Sequence, residues 1–469
     1  MLIDVHDICP EILLSSGATV RRSVTPELSQ NNESVPQVFP LRNRGAPEPV
    51  YSNRHFVVLN VGMSPARGQP NPLRSFILLY VLMYAAFGVA SPFWPRFFEI
   101  RGMSPEQIGL LLGLGTIVRL IAGPIAARVA DRLQQLRGVL AAAAALAACF
   151  ALGLTWVDGF GMFLVIRLCH EIALTPTTSL ADALALGASK PGAPPGMGFE
   201  YGWVRGSASA AFVFGTMVAG QVIGRSELAS IAWMHALLLA GAAASTMLLP
   251  APDYKADAAL EASSFRAIRE LFGIVVLRRA VLIAAIVLGS HAMHDAFAVI
   301  RWNAAGISPI TISILWSVAE VIVFVLIGPR LVYAIGPSGA AAVASLSAIL
   351  RWSVVAASTD PLALAIVQPL HGMTFALLHL ACMRVISAAV PQHLAATSQA
   401  IYAFGPGLTT ALLTLASGML YARLGANGFL LMALLSALAL PLCSGLRTSF
   451  PPSNNNVTNA GPGVGKRSK

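Results

Sequence analysis

This 469-residue sequence predicts an all-α integral membrane protein with twelve transmembrane helices in two six-helix bundles, and three observations carry that prediction. Hydrophobic residues make up 56% of the chain and charged residues 11%, with a mean hydropathy of +0.70; a soluble domain carries roughly 25% charged residues, and no water-soluble fold hides that much apolar surface. At about 20 apolar residues per crossing, the stretch from Leu73 to about Leu446 holds a dozen spans joined by short loops. Finally, a few charged and imidazole side chains lie inside these apolar stretches. There each costs several kcal/mol unless it is paired or faces water, so each is a candidate for a proton or solute pathway.

Glycine, proline and charged residues punctuate the spans in order. The first, about 74–97, closes at Arg101-Gly102, and the second, about 105–127, opens at Pro105 and ends before Arg128. The third, about 138–156, stops at Asp158-Gly159, where the fourth, about 160–186, begins; it ends before Lys190-Pro191. Glu200 precedes the fifth, about 201–224, and Pro250 ends the sixth, about 229–249. The seventh, about 279–300, runs from Arg278-Arg279 to Arg301, and the eighth, about 308–328, ends at Gly328-Pro329-Arg330. Pro337 opens the ninth, about 338–357, and Pro361 the tenth, about 361–388. Arg423 closes the eleventh, about 397–422, and Gly428 starts the twelfth, about 428–446.

These spans divide the chain into a bundle over 73–249, a polar central loop over 250–278 and a second bundle over 279–446. Residues 1–72 and 447–469 read as disordered tails, the first rich in Ser, Pro, Asn and Arg. Met63, directly before the first span, is an alternative start; MLIDVHDICPEILLSS has an acidic beginning where a secretory leader needs a basic one. One set of loops carries Arg128, Arg132, Arg137, Lys190, Lys255, Arg266, Arg269, Arg278, Arg279 and Arg330, against roughly half as many on the other side. Because basic loops stay on the cytoplasmic side, both termini and the central loop are predicted to be cytoplasmic. The net charge of +10 is spread between apolar blocks and forms no nucleic-acid-binding module. Cys9, Cys149, Cys169, Cys382 and Cys443 show no ligand spacing, and the tail GPGVGKRSK lacks phosphate-loop spacing, so no metal and no cofactor is expected. The sequons at Asn32 and Asn456 fall in the predicted cytoplasmic tails.

Two internal echoes relate the halves at an offset of about 200 residues: Gly123-Pro124 with Gly328-Pro329, and His170 with His371. Repeated bundles are the sequence mark of a transporter whose site lies near the midplane between them. After the second span comes GPIAARVADRLQQLRG. Its Asp and Arg, on a short cytoplasmic turn, are suited to capping helix ends and latching a neighbouring helix. Gly123, Asp131 and Arg132 resemble a reduced signature loop of the major facilitator superfamily, with Gln134 and Gln135 where the family usually has more basic residues.

Within the spans, Arg167, His170 and Glu171 stand at i, i+3 and i+4 on one helix face, with Asp182 three turns on. Tyr201 and Arg205 share a face of the fifth span, and Arg205 is expected to pair with Asp182 at similar depth. His291, His294 and Asp295 share a face of the seventh, and a His beside an Asp is suited to holding a proton. At about 1.5 Å per residue, Glu320, Arg351 and His371 fall roughly 10 to 18 Å into the membrane, where they can satisfy one another. The intramembrane charges balance: Arg119, Arg167, Arg205 and Arg351 against Glu171, Asp182, Asp295 and Glu320. His379 reads as an ordinary core histidine.

The series YGWVRGSAS, GSHA with Arg301-Trp302, the LW and AE of the eighth span, RW of the ninth, LHGMTFALLH and QAIYAFGPGL resembles the 3-phenylpropionate transporter family. That family lies near the oligosaccharide and nucleoside proton symporters. The resemblance covers most of 74–446 and implies that Arg205, His291, Glu320, Arg351 and His371 line a central cavity, with Glu320 and His371 as a proton-handling pair. Asp295, His294 and Glu171 join them as proton-coupling candidates; Arg205, Tyr201, His291, Arg351 and Trp316 are the substrate-binding candidates. His294-Asp295 stand where aromatic residues are expected in that family and make the wall more polar. A monomer moving a small organic solute with protons is implied. The alternatives are a sugar or nucleoside symporter, an efflux antiporter, and more remotely an intramembrane enzyme, whose raw material is limited to His291, His294 and Asp295, or a non-transporting sensor.

Overall fold

The computed structural model describes residues 71–189, 199–224, 227–250, 265–317 and 328–446. The expectations for both tails, Met63, most of the central loop and Glu320 lie outside the described residues, as do the side chains of Asp131 and Trp316. Among the described residues, ten helical segments are long and apolar enough to cross a membrane. The last of these, Thr397–Leu446, contains two spans separated by a 3-10 turn at Gly425–Asn427, and the eighth is described only as Pro309–Ser317 and from Gly328 onward. The arrangement is that of twelve transmembrane helices in two six-helix bundles.

The helices depart from the sequence reading at informative places. The second span continues through Pro124 to Leu133, so Arg132 stands on a helix and the loop shrinks to Gln134-Gln135, with Gln134 at φ +50°. The apolar run alone could not locate that end, because the last two turns are exposed and mixed in character. The eighth and ninth spans meet at Gly336, whose φ of +70° is a conformation only glycine adopts cheaply. A short helix, Phe265–Gly273, lies within the predicted polar loop, and the seventh span starts at Val275, earlier than expected.

Two spans expected to be continuous are broken at membrane depth. The seventh divides into Val275–Gly289 and Ala292–Ala304, with Ser290 and His291 at the join. The tenth starts as the helix Pro361–Val367, tightens into a 3-10 turn at Gln368–Leu370, widens into a π-turn at Met373–Leu377 and resumes as Leu378–Ala389. Pro369 removes a backbone donor there, and π-turns concentrate at functional positions. Irregular backbone is tolerated at this depth only when protein or an aqueous cavity surrounds it.

The second span packs along the eleventh and the fifth along the eighth, joining the two bundles. At the end away from Pro72 and Leu446 these contacts are backbone-close: a Cβ on Gly109 would stand 2.9 Å from the Cα of Gly418, and one on Gly220 would strike Ser313. At the opposite end, Gly202 and Gly206 of the fifth span meet nothing within 4 Å among the described residues. Among the described residues, the bundles are therefore interlocked at one end.

Candidate functional site

The sequence-predicted polar residues gather into three groups. The fourth span, Phe160–Ser189, supplies the first. Arg167 and Glu171 form a buried ion pair one helical turn apart, and Arg119 Nε of the second span lies 3.4 Å from the other Glu171 oxygen. Arg167 also donates to His170 Nδ1 at 2.9 Å; His170 Nε2 lies 3.1 Å from His235 Nε2, and His235 Nδ1 lies 2.8 Å from the Ala86 carbonyl. The carbonyl end fixes the direction of this chain: His235 carries its proton on Nδ1, His170 on Nε2, and both rings are neutral. Trp94 and Phe98 cover the Arg167 guanidinium at 5.6 and 5.9 Å. Gly115 lets Glu171 approach, since a Cβ there would stand 3.2 Å from its Cγ.

The second group departs from the expected ion pair. Asp182 accepts from the hydroxyls of Tyr80 and, at 2.5 Å, Tyr201, while Arg205 donates to the Tyr84 hydroxyl and lies over its ring at 5.0 Å. The two tyrosines of the first span take up the positions in which Asp182 and Arg205 were expected to meet. Tyr80 is fully buried and stacks on Tyr84 at 5.9 Å, so aromatic packing and hydroxyl satisfaction place them together.

The third group is built where the helices break. Arg351 of the ninth span is 2% exposed. Its Nε and Nη2 donate to Gln368 Oε1 at 2.9 and 2.7 Å, Nη1 reaches His371 Nδ1 at 3.1 Å, and Nη2 reaches His294 Nε2 at 3.4 Å. Gln368 Nε2 also donates to His294 Nε2 at 3.1 Å, which leaves His294 Nδ1 to donate to Asp295 at 3.2 Å. Every one of these hydrogen-bond partners of Arg351 is neutral, and among the described residues the hydrogen-bond path from Arg351 to Asp295 runs through the His294 ring. His291 Nε2 lies 2.9 Å from Thr374 Oγ1, and its Nδ1 lies 3.1 and 3.2 Å from the Val287 and Leu288 carbonyls. Trp352 walls the group, edge-on to His291 at 5.0 Å, with its Nε1 donating to Ser290 at 2.8 Å. His371 and Asp295 are half-buried, so the group opens on their side.

Thus Arg351, His371, His294, Asp295 and His291 come together, Tyr201 and Arg205 share a helix face elsewhere, and Glu171 is joined to Arg167 and Arg119. Arg132 is exposed and Gly123 approaches only Thr175 of its own bundle. The reading missed Gln368, Thr374, His235, Tyr80 and Tyr84. Gln368 and Thr374 were signalled by the QPLHG sequence, since a proline and a glycine flanking polar residues mark a break in an apolar run. His235 sits alone in a plain apolar span and carried no such signal.

A twelve-span membrane protein whose buried polar groups cluster at broken helices has the architecture of a secondary transporter and not of an enzyme. Residues 73–431 match the family model described as MFS_1 like family, and the chain belongs to that family of major facilitator transporters. It is 30% identical over 373 residues to the probable 3-phenylpropionic acid transporter of Escherichia coli (strain K12), covering 78% of this chain and 96% of that protein. It is 25% identical over 355 residues to the maltose permease of Geobacillus stearothermophilus, covering 74% and 87%. The fold matches the crystal structure of the nucleoside transporter NupG with a TM-score of 0.68 at 16% identity, over 80% of this chain and 98% of that one. The protein is a multi-pass membrane transporter of a small-molecule family.

Proposed function

We propose that this transporter carries a small organic carboxylate, with an aromatic acid such as 3-phenylpropionate as the first candidate, into the cell together with a proton. One observation carries the reading: Arg351 is a buried guanidinium with a full set of neutral partners and no carboxylate within ion-pair distance among the described residues. A buried cation without a counter-ion is costly, and a monoanion docking from the open His371–Asp295 side supplies the missing charge. A guanidinium accepts a carboxylate through paired hydrogen bonds, and Trp352 and Phe375 offer flat apolar surfaces beside it. The name of the Escherichia coli relative agrees with this chemistry.

Arg205 and Tyr201, on the opposing fifth span, form the other wall, with Trp316 of the eighth span as a further contact. The coupled proton is held within the polar group around Arg351, where Asp295, His294 and His371, with Glu320 and Glu171 as further acids, set the electrostatics of the site. The bundles, 73–249 and 279–446, rock about the site. The interlocked end is the periplasmic one in this reading, with both termini and the 250–278 loop cytoplasmic, so the chamber is open to the cytoplasm. Gly123, Asp131 and Arg132 form the latch that closes that side in the opposite state. The protein acts as a monomer in the bacterial inner membrane.

Uptake of radiolabelled 3-phenylpropionate into proteoliposomes under an inward proton gradient tests this reading. Accumulation that collapses with a protonophore supports it; accumulation of maltose or a nucleoside in place of the acid refutes the substrate class.

A further inference from the structure

Three histidines stand around Arg351, and their hydrogen bonds distinguish them. His294 Nε2 already receives N–H groups from Arg351 and Gln368, so a second proton on that ring would set hydrogen against hydrogen. His371 Nδ1 receives Arg351 Nη1 and is closed to a proton in the same way. His291 differs. Its Nδ1 must carry hydrogen, because both atoms it meets are carbonyl oxygens. Its Nε2 faces a hydroxyl, Thr374 Oγ1, which also lies 3.0 Å from the His371 carbonyl.

That hydroxyl has a single hydrogen and two places to send it. When it points to His291, Nε2 accepts and the ring is neutral. When it points to the His371 carbonyl, its lone pair faces Nε2, and the ring is completed by a second proton. The exchange needs rotation about one C–O bond and no movement of any heavy atom. We infer that His291 is the seat of the coupled proton and Thr374 its switch, a role that rests on the symport reading above. The proton arrives from water on the side of uptake, bonds to the Nε2 lone pair, and returns to water from Nε2 once the site opens to the other side, with no other bond made or broken.

The surrounding charges tie this proton to the anion. Arg351 and His371 approach His291 from the ninth and tenth spans, with the His291 and His371 rings 5.3 Å apart, and His294 and Asp295 follow on its own span. A proton on His291 adds positive charge beside Arg351, and a carboxylate on Arg351 offsets it, so each ligand favours the other.

The test is proton uptake by the purified full-length protein in weakly buffered detergent on addition of 3-phenylpropionate, read with a pH dye and normalised to anion bound. Wild type is expected to take up about one proton per anion, and His291→Gln to lower that ratio roughly tenfold. Thr374→Val keeps the ring but removes the rotor, and should also lower the ratio; it decides the matter if His291→Gln does not bind. An undiminished ratio in either His291→Gln or Thr374→Val overturns the assignment to His291. Anion binding by wild type with no proton uptake overturns symport itself, and no binding of the acid overturns the substrate reading.

Discussion

Arg167 in the fourth span and Arg351 in the ninth are both almost wholly buried, yet their surroundings are opposite in charge. Arg167 meets Glu171 directly, with aromatic rings over its face and a neutral histidine chain beyond it. Arg351 meets one amide and two imidazoles. The first holds its counter-ion in direct contact, although Arg167 Nε and one Glu171 oxygen make no hydrogen bond; the second is satisfied in hydrogen bonds by neutral groups and has no carboxylate within ion-pair distance among the described residues. A buried cation whose hydrogen bonds are satisfied by neutral groups is held in geometry while its field is left for something that comes and goes. On the proposed function, that difference is what separates a structural arginine from one that recognises a solute.

The comparison gives graded predictions. Arg351→Gln should lose carboxylate binding by about 2–5 kcal/mol, roughly thirtyfold or more in affinity, with the folded yield preserved; titration calorimetry measures it. Arg167→Met should do the reverse. Removing the nearer of the two guanidinium partners of buried Glu171 costs up to about 3–5 kcal/mol of stability, visible as a lowered melting temperature, and Arg167→Met with Glu171→Leu should recover most of that loss. If instead Arg167→Met binds poorly but melts normally, the division between the two arginines fails. A smaller effect is expected at the bundle contact. Gly109→Leu overpacks against Gly418 by about 1–3 kcal/mol, roughly tenfold in the balance between the two access states, and should increase cysteine labelling from the periplasmic side while sparing binding. Asp182→Asn is the mildest, since an amide still accepts from Tyr80 and Tyr201; a loss near 1 kcal/mol in thermal stability is expected.

The fold class and the spans were largely legible because an apolar run punctuated by charge is a strong signal, and the ionisable groups inside those runs stood out for the same reason. The breaks were less so. Hydropathy treats 275–304 as one span, and only the join at Ser290-His291 shows that two short helices meet there. Partner choice was hardest. Asp182 was assigned to Arg205 from helical depth alone, whereas Tyr80 and Tyr84 of the first span bond to Asp182 and Arg205 respectively, and hydroxyl partners leave no charge pattern to follow. His235 joins His170 across 65 positions on a geometry no periodicity reveals.

The most direct measurement sets 3-phenylpropionate against its neutral amide in binding to the purified protein. If Arg351 waits for a counter-ion, the acid binds and the amide is weaker by about 2 kcal/mol or more, and Arg351→Gln abolishes the difference. Equal binding of acid and amide by the wild-type protein would contradict the account.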